Sequence, residues 1–290
     1  MRKLLLQLDS SRHPSVFDRV VAYDGGADET MSYGAVATDA VRDLVHGLIF
    51  TRGPKDLHNS AVFVGGSDMA AGERILGAVQ ETFFGPFRVS VMLDPNGSNT
   101  TAVAAVLKLM QAAGDVRGRR VVVTAGTGPV GVRVAGLLAR AGAQVVITSR
   151  HPDEGQRIAE EIRKRFGGSV TEFTMPDNAH AAQALEGAEM LVNTGPAGVT
   201  LVPRDALEQS KTLRVAVDLN AVPPTGVEGI EVNDAGVERS GVTVFGALDV
   251  GKLKMKIHKA CIARLFARND LVLDAESILD VARELVARAD

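Results

Sequence analysis

A single cysteine in 290 residues, Cys261, excludes an intramolecular disulfide framework. An excess of one charge is missing too. The 32 Lys and Arg against 35 Asp and Glu leave a formal net charge of -3, which implies no broad basic surface for nucleic acid or an anionic membrane. No apolar run reaches the length of a membrane span. Residues 1–9 begin with the basic residues of a signal peptide, but Asp9 cuts the apolar part short. The segment reads as a buried strand and the chain as cytoplasmic. No His, Cys, Asp and Glu cluster has metal-ligand spacing, and no nucleophile–base pattern is visible. Internal repeats and low-complexity linkers are absent. What remains is an ordinary globular balance, 46% apolar and 23% charged, in a chain long enough for two modest domains.

The chain is organised around residues 121–131. A β-branched run, Val121-Val122-Val123-Thr124, leads into Gly126-Thr127-Gly128-Pro129-Val130-Gly131, and residues 132–141 have helical composition. In such a strand–turn–helix the first glycine permits the turn, the second lets a pyrophosphate approach the backbone, and the third lets the helix pack on the strand. The free N–H groups of the helix face the phosphates, and Pro129 fits a first position where its missing N–H costs nothing. A second strand follows at 144–148. The alternative is a purely structural glycine turn. Where an NAD site carries Asp or Glu, about 20 residues further on, this chain has Ser149-Arg150-His151. A hydroxyl and a planar fork of guanidinium donors suit a 2′-phosphate. NADP is therefore expected over NAD, held by the six glycine-turn residues with Ser149 and Arg150 at the phosphate. The plain alternative for Arg150 is a solvated loop. A second glycine-rich loop, beginning Thr194-Gly195, follows a strand at 190–193. It adds Thr194 and Gly195 to the expected cofactor residues, or else is a simple turn.

The flanks also alternate strand and helix. Strands are expected at 3–8, 61–64 and 87–93. Helices are expected at 14–21, from a Thr38 cap along the face Val41, Leu44, Val45, Leu48 and Ile49, from an Asp68 cap to about 83, and at 102–113. The loop at 23–28 carries two acids, Asp24 and Asp28, and paired glycines. Residues 94–101 stand at a strand's carboxyl end, where open α/β sheets bind ligands. Their six amide, hydroxyl or carboxylate side chains suggest a neutral, hydrogen-bonding ring such as a pterin or purine. Turn and cap roles account for two or three of them. Further on, Lys254 and His258 are one turn apart, on a face that continues through the apolar Cys261 and Leu265. Cations there oppose the helix dipole, and a face that breaks local rules is a candidate site. Lys252, Lys256 and Lys259 read as solvated. A final helix at 275–287 has Asp274 as its cap. The expected fold is α/β in two domains. A smaller α/β domain at 1–113 is completed by C-terminal helices at 251–290 that pack back on it. A Rossmann-type doubly wound parallel sheet at 114–250 holds NADP.

Several stretches considered together carry a resemblance. They are residues 14–18 (Pro-Ser-Val-Phe-Asp), 23–28 (Tyr-Asp-Gly-Gly-Ala-Asp), 64–74 (Val-Gly-Gly-Ser-Asp-Met-Ala-Ala-Gly-Glu-Arg), 83–90, 96–101, the glycine turn, 245–248 and 253–266. In them the chain resembles the NADP-dependent methylene-tetrahydromethanopterin dehydrogenases of methylotrophic bacteria. These are distantly similar in fold to bifunctional methylene-tetrahydrofolate dehydrogenase/cyclohydrolases. The resemblance implies hydride transfer from N5,N10-methylene-tetrahydromethanopterin to NADP+, giving the methenyl form, in one-carbon metabolism. By matching position, Phe17, Lys254 and His258 would act against the pterin. Asp18, Tyr23, Asp24, Asn96, Gly97, Ser98, Asn99 and Thr100 would be substrate contacts. The resemblance also implies a homo-oligomer, a trimer or a multiple of one. Where a related chain has Lys after the Arg, this one has His151, a weaker phosphate ligand when neutral. The Lys-Ser motif of the cyclohydrolases is absent, so no cyclohydrolase activity is expected. The chemistry needs no general base, because hydrogen leaves the carbon bridge as hydride and the product cation is delocalised over two nitrogens. It needs the two carbons held about 3–3.5 Å apart. The alternatives are a methylene-tetrahydrofolate dehydrogenase, an enzyme accepting both carriers, a shikimate-type dehydrogenase, or a non-catalytic NADPH-binding protein.

Overall fold

The computed structural model describes residues 1–287. In chain order the elements are β1 (Leu4–Asp9), α1 (Val16–Asp24), β2 (Glu29–Tyr33), α2 (Val41–Ile49), β3 (Ser60–Gly65), α3 (Met69–Glu81), β4 (Ser90–Leu93) and α4 (Ser98–Ala113). There follow β5 (Arg120–Thr124), α5 (Pro129–Arg140), β6 (Gln144–Ser149), α6 (Pro152–Phe166), β7 (Ser169–Thr174), α7 (Ala181–Ala184), β8 (Met190–Asn193), α8 (Arg204–Gln209) and β9 (Val215–Asp218). The chain ends with β10 (Ala235–Arg239), β11 (Val242–Phe245), α9 (Ala247–Leu265), β12 (Val272–Leu273) and α10 (Ala275–Ala287). Two compact units form. One holds Met1–Thr100 and Met255–Asp290, the other Thr101–Lys254. The division falls within α4 and again within α9.

The first unit is a five-stranded sheet in the order β12-β4-β3-β1-β2, parallel throughout. Its inner strands are apolar runs, as sheets covered on both faces require; every residue of β3 is buried. Leu8, Val62, Val64 and Leu93 from the strands pack with Val41, Val45 and Ile49 of α2 and Ile75 and Val79 of α3. The expected apolar face of α2 is therefore the buried one. The Asp68 carboxylate accepts the Ala70 and Ala71 N–H groups and caps α3 as expected. The Ser277 N–H donates to Asp274 at the start of α10, which lies in this unit.

Four local expectations change. Pro14 precedes α1 rather than lying in its first turn, because Ser15 is the cap and its hydroxyl accepts the Asp18 N–H. Tyr23 and Asp24 are the last residues of α1, not a loop. Thr38 does not cap α2, whose cap position is Ala40 with no side-chain bond. The edge strand β2 was not expected: its sequence Glu-Thr-Met-Ser-Tyr has one buried residue and little alternation to signal a strand.

The second unit is a seven-stranded sheet in the order β10-β11-β9-β8-β5-β6-β7, parallel except for the terminal β10–β11 hairpin. Strand β5 lies beside the middle strand β8, and the order reverses between the two. That reversal is the switch point at which doubly wound sheets open a crevice. Val122, Val146, Leu191 and Ala216 of the strands form one core with Leu185, Leu207 and Val244. Both halves of the architecture are thus the two-domain α/β plan expected from the strand–helix alternation. Among the described residues, no helix is long and apolar enough to cross a membrane.

Candidate functional site

The second unit carries a cavity of about 670 Å³ at the carboxyl ends of β5, β6, β7 and β8. Of the expected cofactor residues, Thr127, Gly128, Ser149, Arg150 and Thr194 line it. Sequence reasoning did not single out Met175, Pro176, Asp177 and Asn178 after β7, or Val199, Thr200 and Leu201, which line it too. The available signal was the end of β7, a third strand terminus on the same side of the sheet.

Each glycine of the turn has a distinct role. A Cβ on Gly126 would stand 2.6 Å from the Ile147 Cβ and 3.0 Å from the Val123 carbonyl oxygen. One on Gly131 would stand 2.7 Å from the Gly126 Cα and 2.8 Å from the Thr194 hydroxyl. On Gly128 the nearest atom would be the Ala125 carbonyl oxygen at 3.7 Å, an ordinary contact. Gly126 and Gly131 are therefore required by packing, whereas Gly128 leaves open backbone before a helix N-terminus, as a pyrophosphate needs. The left-handed residue of the turn is Ala125 (φ 51°), not Gly126 as the motif suggests. Thr148 holds it there by accepting the Ala125 N–H at 3.1 Å. Pro129 opens α5, as expected.

Charged and polar side chains are placed unevenly around the cavity. The Ser149 hydroxyl donates to the His151 carbonyl (2.9 Å) and accepts the His151 N–H (3.2 Å), so it shapes the turn into α6. Arg150 is exposed and makes no ion pair or hydrogen bond among the described residues. Across the cavity, the hydrogen bond from His180 holds the Asp177 carboxyl below the usual carboxylate range, against the opposing effect of burial and with lesser help from the Ala179 N–H. The cavity thus has one free cation at the β6 end and an anion at the β7 end.

The first unit gathers a second cluster. His258 on α9 is fully buried and stacks on Phe63 of β3, ring centroids 5.6 Å apart and planes 18° apart. The half-exposed Phe17 of α1 lies 6.5 Å from the same imidazole. A Cβ on Gly65 would meet Phe63, Asp9 Oδ2 and Asp18 Oδ2 at 3.1, 3.4 and 3.7 Å. Phe17, Asp18 and His258 therefore come together with Asp9 and Phe63, which sequence reasoning missed. Asp9 could have been read from its place at the end of β1. Lys254, one turn before His258 on α9 and the last residue of the second unit, is buried as well. Cys261 is buried on that helix; burial, and then the nearby Asp94 carboxylate, push its thiol far up, so it is no nucleophile at neutral pH.

Other expected substrate residues are engaged elsewhere. Asp24 forms an ion pair with Lys259 at 2.7 Å, and the Tyr23 hydroxyl accepts a bond from Arg19. Helix α4 begins at Ser98, four residues before the expected start, so Ser98, Asn99 and Thr100 form its buried first turn. Asp94 caps that turn, accepting the Asn99 N–H (2.8 Å), the Thr100 N–H (3.1 Å) and the Thr100 hydroxyl (2.6 Å). Within 94–100 Asn96 is the exposed side chain, held in the left-handed region (φ 52°). Among the described residues, no group of three or more His, Cys, Asp and Glu could hold a metal ion.

Known proteins match this chain along its length. Residues 16–96 match the family described as methylene-tetrahydromethanopterin dehydrogenase, N-terminal. The chain is 50% identical over 285 residues to the bifunctional protein MdtA of Methylorubrum extorquens, covering 98% of this chain and 99% of that one. It is 32% identical over 296 residues to the NAD(P)-dependent methylenetetrahydromethanopterin dehydrogenase of the same organism, again over 98% and 99%. A solved structure, shikimate 5-dehydrogenase from Listeria monocytogenes in complex with shikimate and NAD, shares the fold at TM-score 0.55 and 14% identity, over 98% of this chain and 96% of that one. With identity of that extent across nearly its whole length, the chain belongs to the methylene-tetrahydromethanopterin dehydrogenase family and is an enzyme of it.

Proposed function

We propose that this enzyme oxidises N5,N10-methylene-tetrahydromethanopterin to its methenyl form, with NADP+ as hydride acceptor. The observation that carries the reading is the cavity at the switch point of the second sheet, with open backbone at Gly128 and the free Arg150 guanidinium at its β6 end. Gly126, Thr127, Gly128, Pro129, Val130 and Gly131 would hold the pyrophosphate, and Thr194 and Gly195 the loop beside it. Arg150 would pair with the 2′-phosphate, with Ser149 fixing the turn that presents it. The cofactor, when bound, supplies the acceptor carbon. Phe17 would buttress the pterin ring, while Lys254 and His258 hydrogen-bond and orient it. Asp18 and Asn96 are the further contacts that burial and exposure favour. A homo-oligomer, a trimer or a multiple, completes the reading.

A second reading is an enzyme that accepts methylene-tetrahydrofolate as well. The word bifunctional in the name of the half-identical relative favours it. The missing cyclohydrolase Lys-Ser motif favours two carriers over two reactions. The test is NADPH or NADH formation followed by absorbance, with each carrier and each nicotinamide. Arg150→Ala should weaken NADP+ about tenfold or more and leave NAD+ within about twofold, since a charge-assisted phosphate bond contributes roughly 1.5–3 kcal/mol. Equal loss of both nucleotides would remove Arg150 from the phosphate. No turnover of either carrier would end the dehydrogenase reading.

A further inference from the structure

The second unit buries a polar network that none of the expected site residues belongs to. Thr124, Asn193 and Asp218 end strands β5, β8 and β9, and Asn220 follows two residues after β9. All four are buried. The Thr124 hydroxyl donates to Asn193 Oδ1 (2.6 Å), and Asn193 Nδ2 donates to Asp218 Oδ1 (2.7 Å). Asp218 Oδ1 also accepts the Asn220 N–H (3.0 Å), and Oδ2 accepts the Val227 N–H (3.0 Å). Every partner of Asp218 here is a donor, so the position calls for a side chain that only accepts. A Cβ on Gly226 would stand 1.8 Å from Asn193 Nδ2, so the network also dictates the residue packed over it.

The network reaches outward to one loop. The Gly195 N–H donates to Asn193 Oδ1 (3.3 Å), the Gly198 N–H donates to Asn220 Oδ1 (3.3 Å), and Asn220 Nδ2 donates to the Pro196 carbonyl (3.2 Å). Loop 194–198 thus hangs on Asn193 and Asn220, and Asp218 holds both. Thr194 and Pro196 of that loop line the cavity. Buried polar groups are costly unless fully satisfied, and a satisfied network rigidifies what it holds. An apolar trio would make a cheaper core; what these residues add is a fixed loop.

We infer that Asp218 is a positioning residue, which through Asn193 and Asn220 sets loop 194–198 as the wall for the nicotinamide half of the dinucleotide. The assignment rests on the cofactor reading above. Strands β8 and β9 lie on one side of β5, and β6, with Arg150 at its end, lies on the other. A dinucleotide straddling the switch point lays its 2′-phosphate half over β6 and its nicotinamide half over β8 and β9.

The test compares NADP+ with adenosine 2′,5′-bisphosphate, which lacks the nicotinamide half, by calorimetric titration of the full chain. Asp218→Asn turns an amide N–H toward at least one N–H of the network. NADP+ should bind about tenfold more weakly, the size of one lost buried hydrogen bond. The bisphosphate should bind within about twofold of wild type, and kcat should fall at least as far as NADP+ affinity. Should Asp218→Asn fail to fold, Asn220→Ala keeps the Asn193 and Val227 bonds to Asp218 and removes the two to loop 194–198, along with the local ones to the Val222 N–H and the Pro224 carbonyl; the same pattern is expected. A folded variant with unchanged NADP+ affinity and kcat overturns the assignment, as does equal loss of both ligands. Wild-type protein that binds neither nucleotide overturns the cofactor reading, and the assignment with it.

Discussion

Gly126, Gly128 and Gly131 look equivalent in the motif and are not equivalent in the fold. Two are hemmed in by backbone and side chains, and at one a Cβ would make only an ordinary contact. Gly131→Ala should cost about 1–3 kcal/mol of stability, because its methyl group meets the Gly126 backbone rather than a flexible side chain. Gly128→Ala should leave urea stability within about 0.5 kcal/mol of wild type and weaken the dinucleotide sharply. Denaturant melts and titration on the same two proteins check the contrast. A stable Gly128→Ala that binds as before would deny that residue its place beside the pyrophosphate. Residue type and spacing were enough to find the turn. That Ala125, and not a glycine, takes the left-handed conformation was hidden, since it depends on Thr148 from a neighbouring strand.

At the scale of elements, α9 is the informative helix. Its charges alternate between fates: Lys252 and Lys256 are exposed, Lys259 pairs with Asp24, and Lys254 and His258 are buried. Helical spacing anticipated the buried pair, because i and i+4 share a face with the apolar Cys261 and Leu265. Removing Lys254 should therefore act on the pterin alone. Lys254→Ala is expected to raise KM for the carrier and lower kcat, each about tenfold, as loss of one charged hydrogen bond would, with NADP+ affinity unchanged. Steady-state kinetics in both substrates measures this, and an equal loss of NADP+ binding would move Lys254 to the cofactor site. The start of α4 shows the opposite case. Its polar first turn resembles a ligand loop in sequence, yet Asp94 takes up Asn99 and Thr100 as a cap. Side-chain capping and ligand binding use the same residue types, so composition does not separate them.

For the whole molecule, a ligand that binds the folded chain and not the unfolded one adds to its stability by mass action. NADP+ at 100 times its dissociation constant should raise unfolding free energy by about 2.7 kcal/mol, and NAD+ at the same concentration by less. Thermal melts against nucleotide concentration measure the difference, and no shift with either would count against a dinucleotide enzyme. The alternation of β-branched strands with helices, the glycine turn and the absence of a carboxylate after β6 were all legible in the chain alone. They are local properties: backbone preference, side-chain period and the residue at a strand end. The Phe63–His258 stack, the convergence of Asp9 and Asp18 on Gly65, and the Thr124–Asn193–Asp218 network were decided only in three dimensions. Each joins positions tens to hundreds of residues apart: parallel pairing sets the ends of β5, β8 and β9 side by side, and α1 and α9 bring Asp18 and His258 to β3.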